Sequence, residues 1–206
     1  KAIGCARVDK RPQFAPALKQ IASVKTCPCV CLDINRFLLG VRTDIDRLRN
    51  LIDEACNGLS GVDGSAILRD TQRNIFDGVA ESDVEKALIM SSRTFIEQDP
   101  AYSTVSARLL MDSIRREALT FVYKQPRQAS QHEMADAYPD YFKNYIKLAI
   151  DHELLAPDLA QYDLELLGKA LKPENDFSFT YLGLQTLYDR YFIHQDNVRF
   201  ELPQAF

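Results

Sequence analysis

The cysteines are the first residues in this sequence that could do chemistry. The stretch TCPCVCLD places Cys27, Cys29 and Cys31 at alternate positions. On a strand, alternate side chains face one side, so three thiols could converge. Tetrahedral zinc takes four ligands, and the one other upstream cysteine is Cys5. A zinc ribbon needs two C-x-x-C pairs, whereas this run is C-x-C-x-C. The spacing therefore supports neither a metal centre nor a redox pair. The fifth cysteine, Cys56, falls in an amphipathic stretch and reads as a small apolar side chain. His132, His152 and His194 are scattered without metal-ligand spacing. They read as surface or capping residues. The acidic run Asp83–Glu85 reads as a solvated helix N-terminus complementing the dipole. Tyr138, Tyr141, Phe142 and Tyr145 recur at helical spacing, so core packing is expected of them. No catalytic residue and no metal ligand is assigned.

The bulk properties narrow the function classes. Apolar residues make up 46% and charged residues 26% of 206 residues, the balance of an ordinary globular protein. The net charge is −4, and no Lys/Arg block stands out. Duplex binding neutralises many phosphates, so a nucleic-acid partner is not expected. No apolar run approaches the roughly 20 residues that span a bilayer, so no membrane partner is expected either. KAIGCARVDKRPQ has charges but no apolar core of a signal peptide. Few cysteines, with no disulfide framework, predict a cytoplasmic, reducing location. Residue 1 is Lys rather than Met, which reads as a piece of a longer chain.

The elements that must position these residues are nearly all helical from Asp44 onward. DIDRLRNLIDEACNGLSG puts Ile45, Leu48, Leu51, Ile52, Ala55 and Leu59 on one face, with Gly58 and Gly61 as stops. SAILRDTQRNIFDG follows, with Gly78 as its end. SDVEKALIMSSRTFIEQ opens with Ser82-x-x-Glu85, which predicts a capping box. Asp99-Pro100 precedes the helix YSTVSARLLMDSIRREALTFVY. The polar stretch KQPRQASQ has no apolar period and predicts a domain boundary. Beyond it, YPDYFKNYIKLAIDHELL, PDLAQYDLELLGKALK and SFTYLGLQTLYDRYFI read as helices. YFIHQDNVRFEL reads as a hairpin around HQDN. The expected division is an unassigned segment at 1–40, a regulatory domain at 41–123, a linker at 124–131 and a helical segment at 132–206. In residues 1–40, FAPALKQIASVK reads as a short helix and VCLDINRFLLGV as one strand or two.

DIDRLRNLIDEACNGL and DGVAESDVEKALIMSSRTFIEQDPAYSTVSARLLMDSIRREAL resemble the ATP-cone at the N-terminus of the class I ribonucleotide reductase large subunit. The cone's run of a tyrosine followed by A-R-L is represented by Tyr102, Val105, Ala107, Arg108 and Leu109. YPDYFKNYIKLAIDHELL and DFSFTYLGLQTLYDRYFI resemble the helical segment that leads into the reductase barrel. Several long matches stand in the family's order from Asp44 to Phe206. The resemblance implies a mainly α fold: a degenerate ATP-cone helical bundle, then the N-terminal helical segment, without the α/β barrel. It also implies a parent enzyme that makes deoxyribonucleotides from ribonucleoside diphosphates by thiyl-radical chemistry. The family's barrel cysteines lie beyond Phe206, so this chain alone is expected to be inactive. The implied partners are the remainder of the large subunit, a second large subunit and a small metal-containing radical subunit. The Tyr188–Ile193 stretch is expected to face the barrel and to expose its apolar side without it.

ATP-cones hold ATP or dATP through V-x-K-R-x-G and a following D-x-K-I. Here Asp46-Arg47-Leu48 matches the later element, while Asn35-Arg36-Phe37-Leu38 stands where K-R-x-G belongs. Arg116 falls where the family carries a basic phosphate contact. The resemblance thus leaves Arg36, Arg47 and Arg116 as remnants of an ATP/dATP site. Leu38 replaces the loop glycine, and Glu81, Asp83 and Glu85 stand where a polyphosphate would be repelled. Effector binding is expected to be weak or lost. The cysteine run then marks either a degenerate nucleotide entrance or an N-terminal region unrelated to the family. Two alternatives remain: a zinc-ribbon repressor that carries a cone, and a stand-alone interaction module.

Overall fold

The computed structural model describes residues 45–75 and 79–206. The chain divides into Lys1–Arg42 and Thr43–Phe206, and all described residues lie in the second unit. The cysteine run, Arg36, the expected helix and strands of residues 1–40, and Gly78 fall outside the described residues. The described part is helical apart from one small hairpin, in agreement with the mainly α expectation.

Helix α1 (45–56) buries Leu48, Ile52 and Ala55, the periodic positions of its sequence. Gly58 and Gly61 take left-handed backbone angles, φ 75° and 83°, which glycine adopts without a Cβ penalty. At Gly61 a Cβ would also stand 2.6 Å from the Asp99 carboxylate. Helix α2 (Gly64–Asn74) is capped by Asp63, whose carboxylate accepts the Ser65 N–H at 2.9 Å. Asp63 in turn donates its backbone N–H to the Tyr102 hydroxyl at 2.8 Å, tying the turn to a later helix.

Helix α3 (Glu81–Thr94) corrects one expectation. Ala80 is its N-cap and no side-chain capping bond forms, so there is no capping box. Ser82 already lies inside the helix, and Glu85 turns away to ion partners described below. Where α3 crosses α4 (Ala101–Tyr123), the Ser92 and Ser106 hydroxyls meet at 2.7 Å, both buried. Each hydroxyl also lies within hydrogen-bond distance of a carbonyl of its own helix, Ile89 or Tyr102, so one serine donates to the other and the second donates to its carbonyl. Helix α4 is the central element of the described residues, packing against α3 and against the later helices and hairpin. It ends at Lys124, in a left-handed conformation with φ 54°.

The stretch 124–131 is tied to its surroundings. Ala129 and Gln131 are buried. The Gln131 side chain accepts from Arg115 of α4 and donates to the Pro173 carbonyl, while its N–H reaches Glu54 at 3.1 Å. Helix α5 (Met134–Asp151) follows, with Pro139 inside it. A 3-10 turn (Pro157–Gln161) interrupts the segment read as one continuous helix. Asp163 then caps a short α6 (Leu164–Ala170) by accepting the Leu166 N–H at 3.0 Å. Gly168 lets α6 sit directly on α5: a Cβ there would lie 2.8 Å from the Pro139 Cα.

Another 3-10 turn (Pro173–Ser178) leads to α7 (Tyr181–Arg190). The hairpin β1 (His194–Gln195) and β2 (Val198–Arg199) turns at Asp196 and Asn197, φ 50° and 63°. Two consecutive positive angles make the type I′ turn that suits a two-residue hairpin. Tyr188–Ile193 does not simply expose an apolar face. Tyr188 is half-buried and Phe192 is buried, while Tyr191 remains exposed. The aromatic face of α5 is core, as its spacing predicts. Tyr138, Tyr141 and Tyr145 are fully buried, and each hydroxyl is satisfied. Tyr138 donates to Asp176 at 2.5 Å, Tyr141 to the Phe200 carbonyl at 2.7 Å, and Tyr145 to Glu201 at 2.5 Å.

Candidate functional site

Three helices bring one carboxylate and two guanidinium groups together. Arg47 projects from α1, Glu85 from the first turns of α3, and Arg116 from α4. Arg47 donates to Glu85 Oε1 at 3.1 Å, and Arg116 donates to Oε2. Each carboxylate oxygen therefore has its own cation. Arg47 also donates to the Gln128 side chain at 3.1 Å, and Gln128 donates to Asp112 at 3.3 Å. Glu85 is only 7% exposed. Burial pushes its carboxyl up from the ordinary range, while Arg116 and then Arg47 pull it back. Asp112 is likewise raised by burial, against the pull of Arg115.

Glu85 and Arg116 line a cleft of about 800 Å³, whereas Arg47 does not. Ser82, Lys86, Ser113 and Lys124 line the same cleft. Its far wall comes from Leu148 and His152 of the α5 end, Tyr188 of α7, and the hairpin. Glu117, the residue after Arg116, faces this second wall. It accepts the Tyr188 hydroxyl and the Arg199 backbone N–H, both at 2.7 Å. Adjacent α4 residues thus hold opposite walls: Arg116 grips α3, and Glu117 grips α7 and the hairpin.

Of the residues that the sequence assigned, Arg47 and Arg116 meet and Arg36 lies outside the described residues. The expectation that Glu85 is part of a solvated acidic run is corrected, because its carboxylate is nearly closed to solvent between two arginines. Asp83 does stay exposed, paired with Lys86 at 3.1 Å. Sequence reasoning also missed Glu117, whose spacing carries no signal. Within the run from Tyr102 to Leu109, Tyr102 and Arg108 serve the fold. Arg108 donates to the Ala55 and Asn57 carbonyls at 2.9 and 2.7 Å, where α1 ends, and lies 4.4 Å from the Phe177 ring. Cations at a helix C-terminus complement its dipole.

The arrangement suits recognition of charge rather than bond chemistry. Cys56 is half-buried, and burial and then Asp53 raise its thiol, which disfavours the thiolate nucleophile. Among the described residues, no group of three or more His, Cys, Asp or Glu could hold a metal ion. Also among them, no helix is long and apolar enough to cross a membrane.

No family model matches the chain. It is, however, similar to curated proteins named ribonucleoside-diphosphate reductase subunit alpha. The relative from Chlamydia muridarum is 38% identical over 154 residues, 74% of this chain and 14% of the relative. That from Helicobacter pylori is 30% identical over 163 residues, 78% of this chain and 19% of the relative. The subunit 1 alpha protein from Escherichia coli is 24% identical over 165 residues, 80% and 20% of the two chains. The match thus spans a fifth or less of the length of these relatives. Over that span the chain belongs to the family of ribonucleoside-diphosphate reductase alpha subunits and corresponds to part of the large subunit.

Proposed function

We propose that this chain is a regulatory and structural part of a ribonucleoside-diphosphate reductase large subunit, without catalytic activity of its own. Residues 41–123 act as a degenerate ATP-cone and residues 132–206 as the helical approach to a barrel. Its partners are the remainder of the large subunit, a second large subunit and the small radical-bearing subunit. The parent reduces ribonucleoside diphosphates. ATP or dATP binds the cone weakly or not at all.

One observation carries this last point: the two arginines assigned to phosphate already clasp the Glu85 carboxylate. An incoming polyphosphate would have to displace a buried carboxylate and then lie beside it. Like charges at such range repel by about 1 kcal/mol in water and more at lower dielectric. Calorimetric titration of the 206-residue chain with dATP tests the reading, with no heat of binding expected at micromolar nucleotide. A micromolar dissociation constant sinks it. A reductase assay on the chain alone is expected to give no turnover.

A further inference from the structure

Arg108 and Arg115 stand nearly two turns apart on one side of α4, and both guanidinium groups are only partly used. Arg108 Nη1 donates to the Ala55 and Asn57 carbonyls. Arg115 Nη1 donates to the Gln131 side chain, and its Nη2 lies 3.6 Å from the Asp112 carboxylate. In each arginine the Nε N–H is closed to solvent and finds no acceptor among the described residues. Arg115 as a whole is 2% exposed. A buried donor without a partner is costly, and folded proteins leave few of them. Two such donors flank the same small cavity between α1 and α4. It is also lined by the carboxylate residues Glu54 and Asp112, with Leu51 and Phe177 among its apolar walls.

The size and charge of that cavity select its occupant. Its volume of about 10 Å³ is at the lower limit for holding one water molecule. Two guanidinium groups face two carboxylates, so the lining is formally neutral and calls for no further ion. We propose that the cavity is a binding site for a single ordered water, held between α1 and α4. The water accepts from Arg108 Nε and Arg115 Nε and donates to the Glu54 and Asp112 carboxylates. Four polar groups around one buried water lie within the usual number of its hydrogen bonds. The site joins two sets of contacts. Arg108 holds the end of α1. Arg115 holds Gln131, which donates to the Pro173 carbonyl and whose N–H reaches Glu54. The water therefore sits where the residues before 124 meet those after 131, and it makes that seam polar rather than greasy.

A crystal structure of the 206-residue chain, at a resolution that shows ordered water, is the direct test. One peak is expected within about 3.2 Å of both Nε atoms and of a carboxylate oxygen. A cavity without density overturns the proposal, and so does a protein atom in that place, including one from residues 1–44. A bromide soak that gives an anomalous peak there also overturns it, because the occupant is then an anion. A matched pair of variants tests the site in solution. Ala55 lines the cavity, and Ala55→Ser and Ala55→Cys each add one atom to its wall. The hydroxyl can take over as acceptor for an arginine N–H, whereas a thiol accepts weakly. Ala55→Ser is expected to show the higher urea midpoint of the two, measured with reductant present. A dry void would reward the sulfur and penalise the hydroxyl, so a higher midpoint for Ala55→Cys, or equal midpoints, overturns the water site.

Discussion

Glu85 and Glu201 are both glutamates almost closed to solvent, at 7% and 4% exposure, yet they are held in opposite ways. Glu85 takes two guanidinium groups at the edge of a cleft. Among the described residues Glu201 takes no cation: the Tyr145 hydroxyl and the Ile193 N–H satisfy its oxygens at 2.5 and 2.8 Å. Asp176 repeats the second pattern, with Tyr138 at 2.5 Å and Gln204 at 3.0 Å. The first arrangement is ionic, with one cation on each carboxylate oxygen. The second is built from neutral donors inside a core and fixes the course of residues 200–204 against α5. The buried carboxylate between α1, α3 and α4 is thus held by charge, and those packed against α5 by neutral donors.

The sharpest way to break this contrast is to remove the aromatic face. Tyr141→Ala is expected to lose about 3–5 kcal/mol of stability by urea denaturation, the usual cost of emptying a buried aromatic site. A loss below about 1 kcal/mol would show that α5 does not organise the second half. Arg116→Ala comes next. It leaves Glu85 with Arg47 alone in a nearly closed position, between the surface value of under about 1 kcal/mol and the about 3–5 kcal/mol of a fully buried pair. About 1–3 kcal/mol is expected, shrinking with added salt; an effect blind to salt argues against an ionic role. Tyr145→Phe is expected to cost about 1–2 kcal/mol, by stripping one donor from Glu201, and to be indifferent to salt.

Acidity offers a smaller effect with a definite sign. Burial raises the folded carboxyls of Asp176 and Glu201, as it does Glu85 and Asp112. Between the unfolded carboxylate range near about 4 and those raised values, the folded state binds more protons than the unfolded. Stability therefore falls as pH rises through that interval. The urea midpoint is expected to be higher at pH 5 than at pH 7. Asp63, whose carboxyl is lowered mainly by the Ser65 hydrogen bond, opposes this only below the unfolded range. Glu85→Gln is expected to keep most of the slope, because Asp176 and Glu201 still titrate; loss of the whole slope would place it in the ionic cluster instead. At the bottom of the scale, Lys169→Ala breaks an exposed i, i+4 pair with Glu165 and is expected to leave the midpoint unchanged.

Much of the fold was legible because helical periodicity is local. Leu48, Ile52 and Ala55 are buried as their spacing requires, and α4 begins just after Pro100, at Ala101. The hairpin was legible in the aromatic and β-branched runs around HQDN, with Asp196 and Asn197 accepting positive φ. The break before α6 was not read, although Asp163, which caps the restarted helix, stands in the sequence as its local signal. The capping box failed for a related reason. Ser82-x-x-Glu85 has the right spacing, but two arginines offered Glu85 a stronger partner than a backbone N–H.

The sequence alone determined which segments are helical, which faces are apolar, that Tyr138, Tyr141 and Tyr145 are core, and which family the chain resembles. These follow from the spacing of side chains along one backbone or from long matched runs. Tertiary structure alone decided the partners of the charges. Arg47, Glu85 and Arg116 lie 38 and 31 residues apart in sequence, and no local pattern links residues so distant. Whether a glutamate repels a phosphate or takes its place depends on what stands within about 3–4 Å, and only the packing of α1, α3 and α4 sets that distance.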